Sequence, residues 1–257
     1  MLALPLALAL VAPANAGTDV RFLPTYFTGD FGSGISTDIA YLPFILVTTS
    51  TRQEFRLTVP FIAIHSAEPI TFTGGQVVGR GTGKSVSAGP TTESGLGDVI
   101  LQEECFFVEG SARRPWISGI AWLKVPTADE TRGLGTGKTD YGPGAAITQP
   151  IGPRVFLMGD ARYIVRGTPA GSTVDYRNTL WLSAGVQWRL SKANSMNLFY
   201  DDRQSVVPGR EDLRDVSFGL DRRLASGAVF RGAFFAGLSS TAEDYGLSAG
   251  VSFGSAR

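Results

Sequence analysis

The chain has 257 residues, with 23 basic and 23 acidic side chains, one histidine and one cysteine; 43% of it is hydrophobic and 18% charged. The zero net charge supplies no clustered basic face, so no nucleic-acid partner is expected. The lone Cys105 excludes an internal disulfide and reads as a small, buried or lipid-facing apolar residue.

Residues Met1 to Ala16 form an apolar run ending in Ala14-Asn15-Ala16, a small-x-small site of the kind cleaved in exported proteins. They are expected to be a signal peptide, truncated at its start, with a single domain over residues 17–257. Pro5 and Pro13 count against a packed helix there. Beyond Ala16 no stretch reaches the roughly 18 consecutive apolar residues of a membrane helix. A membrane location would therefore require strands.

From there the dominant period is two, the signature of β-structure. A first strand falls near Val20 to Thr28. After a loop around Gly29 to Ser36 and a turn at Thr48 to Gln53, Phe55, Leu57, Val59 and Phe61 alternate with Glu54, Arg56 and Thr58. A long loop, Ser66 to Ser94, leads to a strand carrying Glu104, and a turn at Glu109 to Arg114 leads to Ile117, Gly119, Ala121, Leu123 and Val125, whose opposite phase ends in Lys124. The loop Pro126 to Thr139 precedes a strand near Tyr141 to Gln149, where glycine and proline blur the period. Beyond a turn at Pro150 to Arg154, Leu157, Gly159, Ala161, Tyr163 and Val165 alternate with Met158, Asp160 and Arg162.

The second half repeats the design. A loop at Arg166 to Asp175 is followed by Leu180, Leu182, Ala184, Val186, Trp188 and Leu190 against a phase ending in Arg189. After a turn at Ser191 to Asn194 comes a strand with Asp201 and Arg203, and after a loop at Gln204 to Asp212 come Val216, Phe218 and Leu220 opposite Ser217, Gly219, Asp221 and Arg223. The turn Leu224 to Gly227 precedes Phe230, Gly232, Phe234 and Ala236 against Arg231 and its neighbours. The loop Ser239 to Asp244 precedes Tyr245, Leu247, Ala249, Val251 and Phe253.

Short and long connections alternate strictly. That predicts an all-β, up-and-down antiparallel barrel of about twelve strands, with short periplasmic turns, longer extracellular loops, apolar residues outside and polar ones in the lumen. Tyr163, Trp188, Tyr200 and Tyr245 fall toward strand ends on the apolar phase, as interface girdles do.

Several short segments, in order, carry a resemblance: Thr28-Gly29-Asp30-Phe31-Gly32 with Thr37-Asp38-Ile39, Leu57-Thr58-Val59-Pro60-Phe61, Ser94-Gly95-Leu96-Gly97-Asp98, Lys124-Val125-Pro126-Thr127-Ala128, Gly133-Leu134-Gly135-Thr136-Gly137 and Asp140-Tyr141. They resemble the transporter-like outer-membrane β-barrel family associated with phenol-degradation (meta-pathway) gene clusters. The resemblance implies a porin-like barrel in the outer membrane of a Gram-negative bacterium, transporting small, hydrophobic or aromatic solutes, and no catalytic residues. Phe253 likewise resembles the terminal aromatic read by the outer-membrane barrel assembly machinery, although Gly254 to Arg257 follow it. Outer-membrane lipids, that machinery and a small-molecule solute are the expected partners.

The lumen-phase charges are Glu54, Arg56, Glu104, Lys124, Asp160, Arg162, Arg189, Asp201, Arg203, Asp221, Arg223 and Arg231. Facing lipid at the midplane would cost about 2–4 kcal/mol each, so they are expected to point inward. There they would either line a water-filled pore or form a salt-bridged plug in a non-conducting structural or sensing barrel. Asp201 with Arg203 and Asp221 with Arg223 are expected to pair along one strand face.

No enzyme is expected. His65 and Ser66 are adjacent, so in a regular strand they face opposite sides and cannot act together; a surface lipid hydrolase would need a hydroxyl from a neighbouring strand. Gly83-Lys84-Ser85 and Gly137-Lys138-Thr139 lack the leading glycine of a phosphate loop, having Val78 and Arg132 there. Asp129, Glu130 and Asp140 lack the ligand spacing of a calcium loop and read as a solvated loop. No metal site and no cofactor are expected.

Overall fold

The computed structural model describes residues 17–79, 90–169, 172 and 175–254. The signal segment 1–16 and Gly83-Lys84-Ser85 lie outside these residues. Sixteen strands and no helix occur among the described residues: β1 (Gly17–Phe22), β2 (Thr25–Gly29), β3 (Thr37–Thr49), β4 (Gln53–Ser66), β5 (Ile70–Thr73), β6 (Gln76–Gly79), β7 (Thr91–Leu96), β8 (Val99–Val108), β9 (Trp116–Val125), β10 (Asp140–Ile151), β11 (Val155–Ile164), β12 (Thr179–Arg189), β13 (Asn194–Arg203), β14 (Leu213–Arg223), β15 (Val229–Gly237) and β16 (Tyr245–Gly254). All but β5 and β6 belong to one sheet. β1 and β2 are halves of one broken stave, as are β7 and β8, so the wall has twelve antiparallel staves.

The barrel closes where β16 pairs with β1, Asp19 opposite Gly254, and with β2, Thr25 opposite Ser248. Closure gives every strand of the wall a partner on both sides except β7, which pairs only with β4 among the described residues, and such pairing satisfies the backbone of a sheet standing in hydrocarbon. Both breaks have a backbone cause. Proline has no N–H to donate, and Pro24 interrupts the first stave while its carbonyl accepts the Ala249 N–H at 3.1 Å. Pro43 faces Pro60 in the β3–β4 ladder, and Pro60 is bonded instead by Gly97 N–H, at 2.9 Å, where β7 gives way to β8.

Alternation decides the faces. Leu157, Leu182, Leu198, Leu220, Phe234 and Leu247 are exposed on the outer wall, and the tyrosines 163, 200 and 245 are exposed near the long-loop end. Cys105 is on the outer phase too, half-buried, with Glu103 two residues away as one departure from an apolar wall.

The interior differs from the expectation of a uniformly polar lumen. Phe31, Ile39, Ile62, Ile64, Ile70, Val77 and Leu134 form a buried apolar cluster, to which β3 and β4 contribute from the wall and three long connections contribute from above. The reason lies in the loop read as irregular over Ser66 to Ser94. Its β5–β6 hairpin folds into the barrel, so the inward faces of β3 and β4 meet protein instead of water.

Candidate functional site

The hairpin turns at Gly74 and Gly75, both at positive φ, 55° and 77°. Glycine is required twice over at this turn. A Cβ on Gly75 would lie 2.6 Å from Arg203 Nη1, and one on Gly74 would lie 2.8 Å from both terminal nitrogens of Arg166. The hairpin is held on three sides. Gln76 Nε2 donates to the Gln204 carbonyl at 2.8 Å, and its Oε1 accepts the Val206 N–H at 2.9 Å. Phe72 N–H donates to the Gly133 carbonyl at 2.8 Å, and Arg210 donates to the carbonyls of Val77 and Phe31.

Beneath the turn lies a cavity of about 300 Å³. Its lining includes the aromatic Phe27, Phe72, Trp181 and Phe235 and the ionic Asp160, Arg162, Asp201, Arg203, Asp215 and Glu243, with Trp181 set between Arg162 and Arg203 in the wall. A second cavity of about 280 Å³ shares Phe27, Phe72, Gly75, Trp181 and Arg203 and adds Tyr41, Trp122 and Lys124. Trp122 meets Trp181 edge to face at 5.5 Å, and Tyr41 packs on Phe72 at 6.1 Å.

The structure disperses the twelve sequence-derived charges along the barrel. Asp160, Arg162, Asp201 and Arg203 border the first cavity and Lys124 the second. Arg162 bonds Asp160 at 2.8 Å and reaches Gln102 of β8 at 3.0 Å, past β9 and β10, which requires an inward aim. Glu54 pairs with Arg56 at 2.7 Å, and Glu104 accepts the Ser118 hydroxyl at 2.5 Å. Arg189 lies over the Phe156 ring at 5.0 Å, and Arg223 is exposed at the short-turn end of β14. Phe253 is exposed on the outer wall opposite Val20.

Two expected pairings are corrected. Arg203 bonds Asp215, not Asp201, and Asp221 bonds Arg231 at 2.6 Å, not Arg223. Cross-strand partners are on offer at both places: Arg231 stands directly opposite Asp221, and Asp215 stands opposite Asp201, one diagonal step from Arg203. Asp140 is also corrected: it is no solvated loop residue but the buried first residue of β10. Its Oδ2 lies 3.1 Å from Lys124 Nζ and accepts Arg166 Nη1 at 2.9 Å. Lys124, 2% exposed, also bonds Asp98 at 2.9 Å and Thr136 at 2.8 Å. Burial pulls the Arg166 guanidinium down against the pull of Asp140, and its cation stands 5.0 Å from the Trp181 ring. Burial first, then Asp215, pushes the Glu243 carboxyl above its usual value.

His65 and Ser66 face opposite sides. Ser66 is buried against the Thr37 hydroxyl at 3.0 Å, while His65, on the outer wall, has Nδ1 2.9 Å from Thr92 Oγ1 of β7. A neighbouring strand thus supplies a hydroxyl, with Asp38 opposite His65. Acyl transfer also needs donors aimed at an oxyanion. The nearby hydroxyls of Tyr26 and Thr28 both donate to Asp38 at 2.7 Å. The expected result is therefore no phospholipid release by the purified barrel; release that disappears in His65→Ala would overturn this.

No protein-family model and no curated protein matches the chain. Among solved structures it is similar to an outer membrane channel from Pseudomonas putida F1, with a TM-score of 0.65 and 14% identity over 95% of this chain and 97% of that one. It is also similar to the KdgM porin, with a TM-score of 0.53 and 8% identity over 94% of this chain and 99% of that one. These likenesses show the fold of an outer-membrane barrel.

Proposed function

We propose that the protein lies in a bacterial outer membrane and is a channel through which small solutes with an apolar or aromatic part pass down their gradients. The observation that carries the reading is the cavity lined by both aromatic and ionic side chains inside a closed barrel with an apolar exterior. A pore lining that offers both surfaces accepts a solute's ring and its polar group in one place. Outer-membrane lipids are the partners of the outer wall, and outward-facing Phe253 is the contact offered to the assembly machinery.

The experiment is planar-bilayer recording with the refolded mature chain. Small, resolvable unitary currents are expected, because the hairpin narrows the lumen. Absence of current after insertion verified by protease protection would defeat the channel. A non-conducting structural barrel is the second reading, favoured by the Lys124 cluster and the inward hairpin, and that absence of current would support it.

A further inference from the structure

The ionic side of the cavity is not neutral. Asp160 is neutralised by Arg162 at 2.8 Å and Asp215 by Arg203. Asp201 and Glu243 remain. Among the described residues neither has a basic group within ion-pair distance; Arg203, which bonds Asp215, attracts both from farther away, and the Ser183 hydroxyl bonds Asp201. Glu243 is 5% exposed, yet it lines the cavity. The adjoining cavity does not offset this surplus, since its Lys124 is already matched by Asp98 and Asp140. Asp201 and Glu243 thus share Arg203 with Asp215, so four carboxylates meet two guanidiniums around the cavity, an imbalance that is costly unless a cation joins them.

The aromatic part of the lining selects what kind of cation. Phe27 and Phe235 meet at 5.4 Å, and Phe72 and Trp181 complete an aromatic surface on the same cavity. Aromatic faces attract ammonium groups and pack apolar bodies. At about 300 Å³ the space stands at the small end of ligand pockets. Trp181 Nε1 and Arg203 Nε, on two residues of the lining, are buried donors without acceptors.

We propose that this chamber is a binding site for small organic ammonium compounds with an aromatic body, the charge between Asp201 and Glu243 and the ring on Phe27, Phe72 and Trp181. The proposal deepens the channel reading by naming the solute class, but binding in the chamber does not itself require conduction.

The test uses the refolded barrel in detergent micelles, titrated separately with benzylammonium, benzyl alcohol and benzoate, which share a ring and differ in charge. Tryptophan fluorescence reports occupancy, and Trp181→Phe shows which signal comes from the chamber. Benzylammonium is expected to bind about tenfold tighter than benzyl alcohol, and benzoate more weakly than either. Asp201→Asn with Glu243→Gln is expected to erase the preference for the cation. Benzoate or benzyl alcohol binding as tightly as benzylammonium would overturn the proposal, and that comparison needs no variant to fold. A persisting preference in the double variant would overturn it too. Bilayer recordings separate the two readings: binding without current leaves the site and removes the channel, whereas current without cation preference removes only the site.

Discussion

Replacing hairpin residues 70–79 with a short glycine-serine linker is expected to raise the unitary conductance several-fold while leaving the barrel folded. The wall does not depend on the hairpin for its ladder, because β5 pairs only with β6, as a separate two-stranded sheet. What the hairpin does is occupy the lumen. Its side chains Ile70 and Val77 sit in the buried cluster, and its turn reaches Arg166, Trp181 and Arg203 on β12, β13 and the connection before β12. Removing it exposes the aromatic and ionic walls to water and joins the cavity to the long-loop end. Gly75→Val should act in the same direction and more weakly. The new side chain would be strained at a φ of 77° and would press on Arg203, displacing the turn without deleting it. Unchanged conductance in the deletion variant, with the barrel intact by gel mobility, would show that the constriction lies elsewhere.

Much of this architecture was legible because lipid and lumen impose a strict period of two. A charge on the wrong phase is costly, so Asp160 and Arg162 fixed the phase of β11, and Asp221 fixed that of β14. The turns were legible from their brevity. The interior was less so. Tyr41, Ile62 and Ile64 belong to staves hydrophobic on both faces, and a one-dimensional pattern does not say whether an inward isoleucine meets water or a folded-in loop. The hairpin was obscured for a related reason: its strands have four residues each, too few to display a period. Asp215 follows the inward phase of Ser217 and Asp221, so extending that alternation by one step would have found it. Asp98, Arg166 and Glu243 carried no such signal. They lie at a strand break or in connections, where polar residues are ordinarily solvated, and only the inward course of the chain buries them.

Lys124→Met is expected to destabilise the barrel by about 3–5 kcal/mol, the usual consequence of removing one partner from a buried ionic cluster. The cluster is balanced as it stands, with Lys124 and Arg166 against Asp98 and Asp140, all of them buried. Methionine keeps much of the volume and removes the charge, leaving Asp98 with the Ala128 N–H at 3.1 Å and Asp140 with Arg166 and the Gly167 N–H. The damage is also mechanical. Lys124 ties Thr136 to the wall, and the same connection carries Leu134 into the apolar cluster and offers the Gly133 carbonyl to the hairpin. Loss of the cation should therefore loosen the plug and raise conductance along with lowering the urea midpoint, followed by tryptophan fluorescence in lipid vesicles. Adding Asp98→Asn restores charge balance, so the double variant should recover part of the lost stability even though it has fewer ionic contacts. If the double variant were less stable than Lys124→Met alone, the lost hydrogen-bond geometry, and not the uncompensated charge, would be what the lysine supplies.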